Sequence, residues 1–243
     1  MEVKHVVIGS GEVGMAIQRL IACRTNMIGT DIHTDFDKLA AIITGLEYMH
    51  VAIPYSPTFV DTCKHLQDIL KPKYTIIYSS VLPGTTEQLG EYAVHSPIEG
   101  RHPHLFESVK HFPRLISGPR SEEVCKMFVG LGIMDIRIYP NSKTTEIGKL
   151  LSTTRYGINL MFAQEQKEIC DRLGVKYEEA VSAYIDMYND GYSNIESKRF
   201  QQQNLTPPGD KIGGHCVIPN AKLLANNITD SEIITKLSKY NEE

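Results

Sequence analysis

A short apolar run, Lys4-His-Val-Val-Ile8, ends in Gly9-Ser-Gly-Glu-Val-Gly14, and a helical pattern from Met15 to Ala22 follows at once. This is strand, glycine turn and helix with the spacing GxGxxG. Gly9 suits the tight turn, Gly11 lets backbone approach a pyrophosphate, and Gly14 lets the helix pack on the strand. With Glu12 and Val13 between the glycines, the helix N-terminus presents free N–H groups to the phosphates. A second strand pattern, Asn26 to Thr30, ends in Asp31. An acidic residue about 20 positions after the glycines is placed to bind a ribose 2′-hydroxyl, and its charge repels a 2′-phosphate. These residues predict a dinucleotide site that takes NAD rather than NADP.

The alternation continues along the chain. Tyr48 to Ile53 reads as a strand stopped by Pro54, Phe59 to Leu70 as an amphipathic helix, and Tyr74 to Tyr78 as a strand. Ser79-Ser-Val-Leu-Pro-Gly-Thr-Thr86 is a turn that opens a short helix. Tyr92 to His95, Leu115 to Ser117 and Ile133 to Tyr139 read as strands, and Glu122 to Leu131 as a helix. Repeated alternation of this kind predicts a Rossmann-like α/β fold with a doubly wound, mostly parallel sheet. Ligands of such sheets bind beyond the carboxyl ends of the strands, which here carry Ile53, Pro54, Ser80 and His95.

After Pro140 the pattern changes. Thr144 reads as an N-cap, Gly174 as the residue past the end, and apolar residues between them recur at helical spacing. A helix of that length exceeds what one sheet domain covers, which predicts a partner chain and a homodimer. The expected organisation is a dinucleotide-binding domain over 1–140 and, over 141–243, a long helix with a small all-helical dimerisation segment. Within it Tyr177 to Tyr188 reads as a second helix. Lys149 and Thr153 stand four apart on one face of the long helix; by itself Lys149 would be a solvated lysine.

Composition narrows the class. Apolar residues are 42% and charged residues 22%, and the net charge is −4, which gives no reason to expect nucleic acid or an anionic membrane as partner. With no membrane-length apolar run and no signal peptide pattern, a cytoplasmic protein is expected. Cys23, Cys63, Cys125, Cys170 and Cys216 are odd in number and lack paired spacing, so reduced thiols and no metal are expected. Arg101-His-Pro-His104 with Lys110, His111 and Arg114 forms a basic, histidine-rich stretch. It reads as a solvated loop, as an anion clamp, or with His95 as a metal site lacking recognised ligand spacing.

Near the C-terminus, Lys211-Ile-Gly-Gly-His-Cys-Val-Ile-Pro-Asn220 sets one cysteine between a glycine pair and an apolar helix start. A thiol held there can be accessible and activated by helix-terminal amides. Together with the glycine fingerprint and Asp31, Val-Ala-Ile-Pro54, Ser79 to Thr86, Thr145-Glu-Ile-Gly-Lys-Leu150 and Cys170-Asp-Arg-Leu-Gly174, the chain resembles the UDP-glucose/GDP-mannose dehydrogenase family. The resemblance implies oxidation of a primary alcohol on a nucleotide sugar, a UDP-sugar as the first choice, to a carboxylate with two NAD. It implies a homodimer built on the long helix. It makes Cys216 the nucleophile of a thiohemiacetal and thioester, and Lys149 the stabiliser of an oxyanion or an aid to proton transfer. Ser80 takes a position usually held by threonine near the nicotinamide.

The chain also departs from the family pattern. The family's aspartate four after the cysteine is Asn220, and its asparagine four after the lysine is Thr153. The glutamate that helps hydrolyse the thioester falls on Ile98 without a gap and on Glu99 with a one-residue shift. The sequence ends soon after the cysteine motif, so a C-terminal nucleotide-sugar domain is expected to be absent. Two alternatives follow from these changes: a two-electron NAD-dependent dehydrogenase on a smaller substrate, and an NAD-binding relative without turnover.

Overall fold

The computed structural model describes residues 2–100 and 103–242. The expectations for Arg101 and His102 lie outside the described residues. The chain divides into two compact units, Met1–Lys149 and Leu150–Glu243.

The first unit is a seven-stranded sheet with helices on both faces. Its elements in order are β1 (His5–Ile8), α1 (Glu12–Ala22), β2 (Met27–Thr30), α2 (Phe36–Ile42), β3 (Tyr48–Val51) and α3 (Phe59–Leu70). Then come β4 (Tyr74–Ile77), a single 3₁₀ turn (Thr86–Leu89), β5 (Ala93–His95), α4 (Leu105–His111), β6 (Arg114–Ser117), α5 (Ser121–Gly130) and β7 (Ile136–Tyr139). The strand order is β2-β1-β3-β4-β5-β6-β7. All neighbours are parallel except β5 and β6, which meet antiparallel at His95 and Ser117.

Two-sided burial explains the composition of the strands. Side chains alternate across a strand, so a strand covered on both faces must be apolar throughout. In β1, Val7 joins Ile17, Ile21, Ile76, Ile116 and Phe128 on one face. Val6 and Ile8 join Met49, Phe59, Leu66 and Ile77 on the other. The sequence pattern does not predict α2, a seven-residue helix held by the Asp35 side chain, whose Oδ1 accepts the Lys38 N–H at 3.1 Å. Nor does it predict α4, which lies where a solvated loop is one of the expectations; Leu105 and Val109 are buried beneath it.

The long helix, α6, runs Ser142–Leu173, 32 residues or about 48 Å. It begins before the expected cap at Thr144, because Asn141 Oδ1 accepts the Lys143 N–H at 2.9 Å and starts the helix earlier. Its end follows expectation. Gly174 takes φ +69, and the Val175 N–H donates to Cys170 O at 3.0 Å while the Gly174 N–H donates to Asp171 O at 3.1 Å. That pair of bonds is a Schellman ending, which a residue with a Cβ resists.

The second unit adds α7 (Ala183–Asn194, entered through a wider turn at Glu178–Ser182), α8 (Val217–Asn227) and α9 (Glu232–Lys239). Its core gathers Ile212, Val217, Ile218, Ala221 and Leu237 against Tyr156 and Met161 of α6. Gly157 permits this approach, since a Cβ there would overlap Val217 and lie 2.8 Å from Leu237 Cδ2. In contrast α7 has no buried residue, and Tyr184, Met187 and Ile195 stand open. It continues past the expected end at Tyr188 to Asn194. No helix among the described residues is long and apolar enough to cross a membrane.

Candidate functional site

The glycine turn lies at the carboxyl end of β1, where the strand order switches direction. The Gly9 N–H donates to Thr30 O at 2.9 Å and the Ala52 N–H to Ile8 O at 2.8 Å, so the turn is locked to its neighbours on both sides. Gly9 has φ +116, and a Cβ on it would overlap Ala52 O; a Cβ on Gly14 would overlap Gly9 O. Open space faces Gly11, the N-cap of α1, and the Met15 N–H returns to Gly11 O at 2.9 Å. Glu12 is exposed and Val13 half-buried at the helix start. Backbone is therefore bare at Gly11 and packed at Gly9 and Gly14, the cradle a pyrophosphate needs. Asp31 follows β2 directly and is half-buried. Next to it in the chain, Ile32, Thr34 and Phe36 line a groove of about 290 Å³ with His65, Leu66 and Ile69 of α3. These residues fit a dinucleotide.

A buried polar cluster joins the carboxyl ends of the strands to the first turns of α6. Ser79 Oγ donates to Ile53 O at 2.6 Å. His95 is fully buried, with Nε2 3.1 Å from Ser79 O and Nδ1 2.6 Å from Thr145 Oγ1; Ser117 Oγ in turn bonds Thr145 Oγ1. A carbonyl can only accept, so Nε2 carries the proton and Nδ1 accepts from Thr145, whose oxygen then accepts from Ser117. Neutral imidazole satisfies every member of this chain. Burial holds the His95 pKa down to about 4, against a small raising effect of the Ser79 bond, and the positive charge of Lys149 lowers it further. Next after Thr145 in α6, Glu146 is buried and accepts the Gly84 N–H at 2.6 Å and the Thr86 N–H at 2.8 Å. Ser80 is half-buried between these anchors, and Pro54 is exposed beyond β3.

Lys149 is the last residue of the first unit. Its Nζ donates to Ile98 O at 2.7 Å and lies 3.4 Å from Glu99 Oε1. Of the two residues onto which the family's glutamate falls, Glu99 has its carboxylate beside the lysine and Ile98 packs into the core at 4% exposure. Within the described part of the basic stretch, Arg114 is not open to an anion. Arg114 belongs to β6 and is 4% exposed, with Nη2 donating to Val109 O at 2.9 Å and its guanidinium 5.3 Å from the Phe128 ring centre. Its place inside the sheet corrects the anion-clamp expectation for that residue. His111 pairs with Glu107 at 3.3 Å on the outside of α4. Among the described residues no three His, Cys, Asp or Glu side chains gather to hold a metal.

In the second unit Cys216 is exposed and is the N-cap of α8. The turn ahead of it contains Gly214 at φ +85 and is anchored at Ile212. Asn241 holds that residue from both sides, accepting the Ile212 N–H at 2.9 Å and donating to Ile212 O at 3.0 Å. Tyr240 Oη donates to Gly209 O at 2.7 Å. Asn220, one turn into α8, is buried, and its N–H donates to Cys216 O at 3.0 Å; Thr153 is half-buried on α6. The sequence motif Thr145 to Leu150 contains Thr145 and Glu146 without giving either a role, and nothing in the sequence marked Ser117 or Asn241. The one available signal was Glu146, three residues ahead of Lys149 and so on the same side of the helix.

No family model matches the chain. It is 23% identical over 181 residues to the UDP-N-acetyl-D-mannosamine dehydrogenase of Methanococcus vannielii, covering 69% of this chain and 38% of that protein. It is 22% identical over 273 residues to the NDP-N-acetyl-D-galactosaminuronic acid dehydrogenase of Ralstonia solanacearum, covering 87% of this chain and 62% of that protein. At this level the chain is similar in sequence to nucleotide-sugar dehydrogenases. The chain spans less than two thirds of the length of either protein. Its fold is shared with the UDP-D-ManNAc dehydrogenase of Pyrococcus horikoshii, at a TM-score of 0.75 and 20% identity over 100% of this chain and 68% of that one.

Proposed function

We propose that the chain is an NAD-dependent oxidoreductase that oxidises a primary alcohol of a sugar-like substrate, a UDP-sugar in the first instance, to a carboxylate. The observation that carries this reading is the bare backbone at Gly11 between packed Gly9 and Gly14, with Asp31 at the neighbouring strand end, in a relative of nucleotide-sugar dehydrogenases. NAD, when bound, supplies the hydride acceptor. The amides of Glu12 and Val13 would hold the pyrophosphate, Asp31 would accept from the ribose hydroxyls, and the groove beside Ile32 would take the adenine.

The chain's own groups then handle protons and the carbon skeleton. The Lys149 ammonium donates to the oxygen that gains negative charge, and Glu99 beside it is the acceptor for the proton removed. Loss of one hydride leaves an aldehyde, which has no second hydride to give until a nucleophile adds to its carbon. Cys216 thiolate adds there, and loss of a second hydride from the adduct leaves a thioester. Water cleaves the carbon–sulfur bond, releasing the carboxylate and the thiol. Two NAD are reduced per substrate.

Incubation with NAD and a panel of UDP- and GDP-sugars tests the reading. The expected result is two NADH per molecule consumed with at least one UDP-sugar. One NADH and an accumulating aldehyde would replace it with a two-electron oxidation, and binding of NAD with no NADH on any sugar would leave a nucleotide-binding relative without turnover.

A homodimer belongs to the same proposal. Phe162, Ile169 and Leu173 recur on one side of α6 at 60%, 41% and 73% exposure, and α7 adds Tyr184 and Met187. An apolar stripe of that extent is unfavourable in water, and a helix as short as α7 is marginal without packing. A second copy would cover both. Light scattering should give twice the 27.3 kDa of the chain, and Met187→Glu should lower it to one copy; a wild-type monomer would count against the dimer.

A further inference from the structure

The loop from Ser79 to Thr86 is held at both ends by buried groups. At its start Ser79 Oγ donates to Ile53 O at 2.6 Å, and His95 Nε2 donates to Ser79 O at 3.1 Å. At its far end the fully buried Glu146 carboxylate takes one N–H on each oxygen, from Gly84 at 2.6 Å and Thr86 at 2.8 Å. A carboxylate out of water is costly unless hydrogen bonds compensate, and here two amides at the start of a 3₁₀ turn do so. Glu146 is also one turn ahead of Lys149 on α6, so a single helix carries both the loop's anchor and the ammonium that meets Glu99.

Sheet order says what the loop faces. With the pyrophosphate at the Gly9–Gly14 turn and the adenosine ribose at Asp31 on the β2 side, the second nucleoside must extend the other way, over the carboxyl ends of β3 and β4. That is the edge from which the Ser79–Thr86 loop rises. We propose that Glu146 is a positioning residue for the nicotinamide half of NAD: by clamping Gly84 and Thr86 it fixes the loop against which the ring is seated. The inference rests on the reading of the chain as an NAD-dependent enzyme.

Calorimetric titration with NAD+ and with ADP-ribose, which lacks only the nicotinamide, separates the possibilities. Glu146→Gln keeps one acceptor and sets an NH2 against the other N–H. It is expected to raise the NAD+ dissociation constant about tenfold while leaving ADP-ribose within about twofold, the scale of one lost charge-assisted hydrogen bond. Glu146→Asp, which keeps the charge but is one methylene shorter, should fall between the two and decides the matter if the glutamine variant does not fold. Equal weakening of both ligands would reduce Glu146 to a purely structural part, and no change in either would remove the proposal. Wild-type protein that binds neither ligand would instead overturn the cofactor reading, and this one with it.

Discussion

Cys216→Ala is expected to lower carboxylate formation about 10³-fold or more, the usual scale for loss of a covalent nucleophile. The thiol is exposed at the start of α8, in a turn built on Gly214 and anchored by Asn241, so the substitution removes one sulfur and disturbs no core packing. The first hydride transfer does not need sulfur. A single turnover in the variant should therefore still yield one NADH and leave aldehyde, whereas wild type is expected to proceed to two. Mass spectrometry of wild-type protein quenched during turnover should find an acyl group on Cys216 and none on the other four cysteines. A variant that makes carboxylate at the wild-type rate would sink the thiol mechanism. The departure at Asn220, a buried amide that cannot ionise, predicts that thioester cleavage is the slow step and that the acyl form accumulates.

Acid should unfold the first unit over a narrow range. His5 Nδ1 lies 3.0 Å from His50 Nε2, and His50 Nδ1 lies 2.8 Å from Tyr78 Oη, beneath α1. Burial pushes the His5 pKa down to about 4 and that of His50 well below its ordinary value; His95, in the cluster at α6, is also near 4. Each is depressed in the folded state relative to about 6.5 in the unfolded chain. The unfolded chain therefore takes up protons first as pH falls. The stability is fully present above pH 6.5 and is lost between there and about 4. Each histidine contributes a slope of about 1.4 kcal/mol per pH unit, so three together give about 4 kcal/mol per unit at the steepest. By pH 5 the loss is about 6 kcal/mol, enough to unfold a domain at the lower end of the ordinary range of about 5–15 kcal/mol. Urea unfolding at pH 7.5, 6.5 and 5.5 measures the slope directly. A stability that stays flat across that window would show that these imidazoles are protonated or solvated in the native state.

The sequence made much of the first unit readable. Four-residue apolar strands alternating with amphipathic helices specify a parallel sheet, because both faces must be buried. The glycine spacing specifies the turn after β1, because Cβ atoms at Gly9 and Gly14 would strike backbone. Gly174 marked the end of α6 for the same kind of local reason. Short elements were harder. α2 and α4 bury only a few apolar residues each, too few to stand out as a period.

What the sequence by itself determined was whatever depends on neighbours along the chain: strand periodicity, the glycine turn, the acid after β2, and the helix stop at Gly174. Only the tertiary structure decided which side chain meets Lys149, that Arg114 is inside the sheet, and that Glu146, His95 and Asn241 hold loops in place. The contacts of Glu146, Lys149, His95 and Asn241 rest on hydrogen bonds between residues 16 to 62 positions apart. No local propensity encodes such bonds, because they form only when the packing of the whole sheet brings donor and acceptor together.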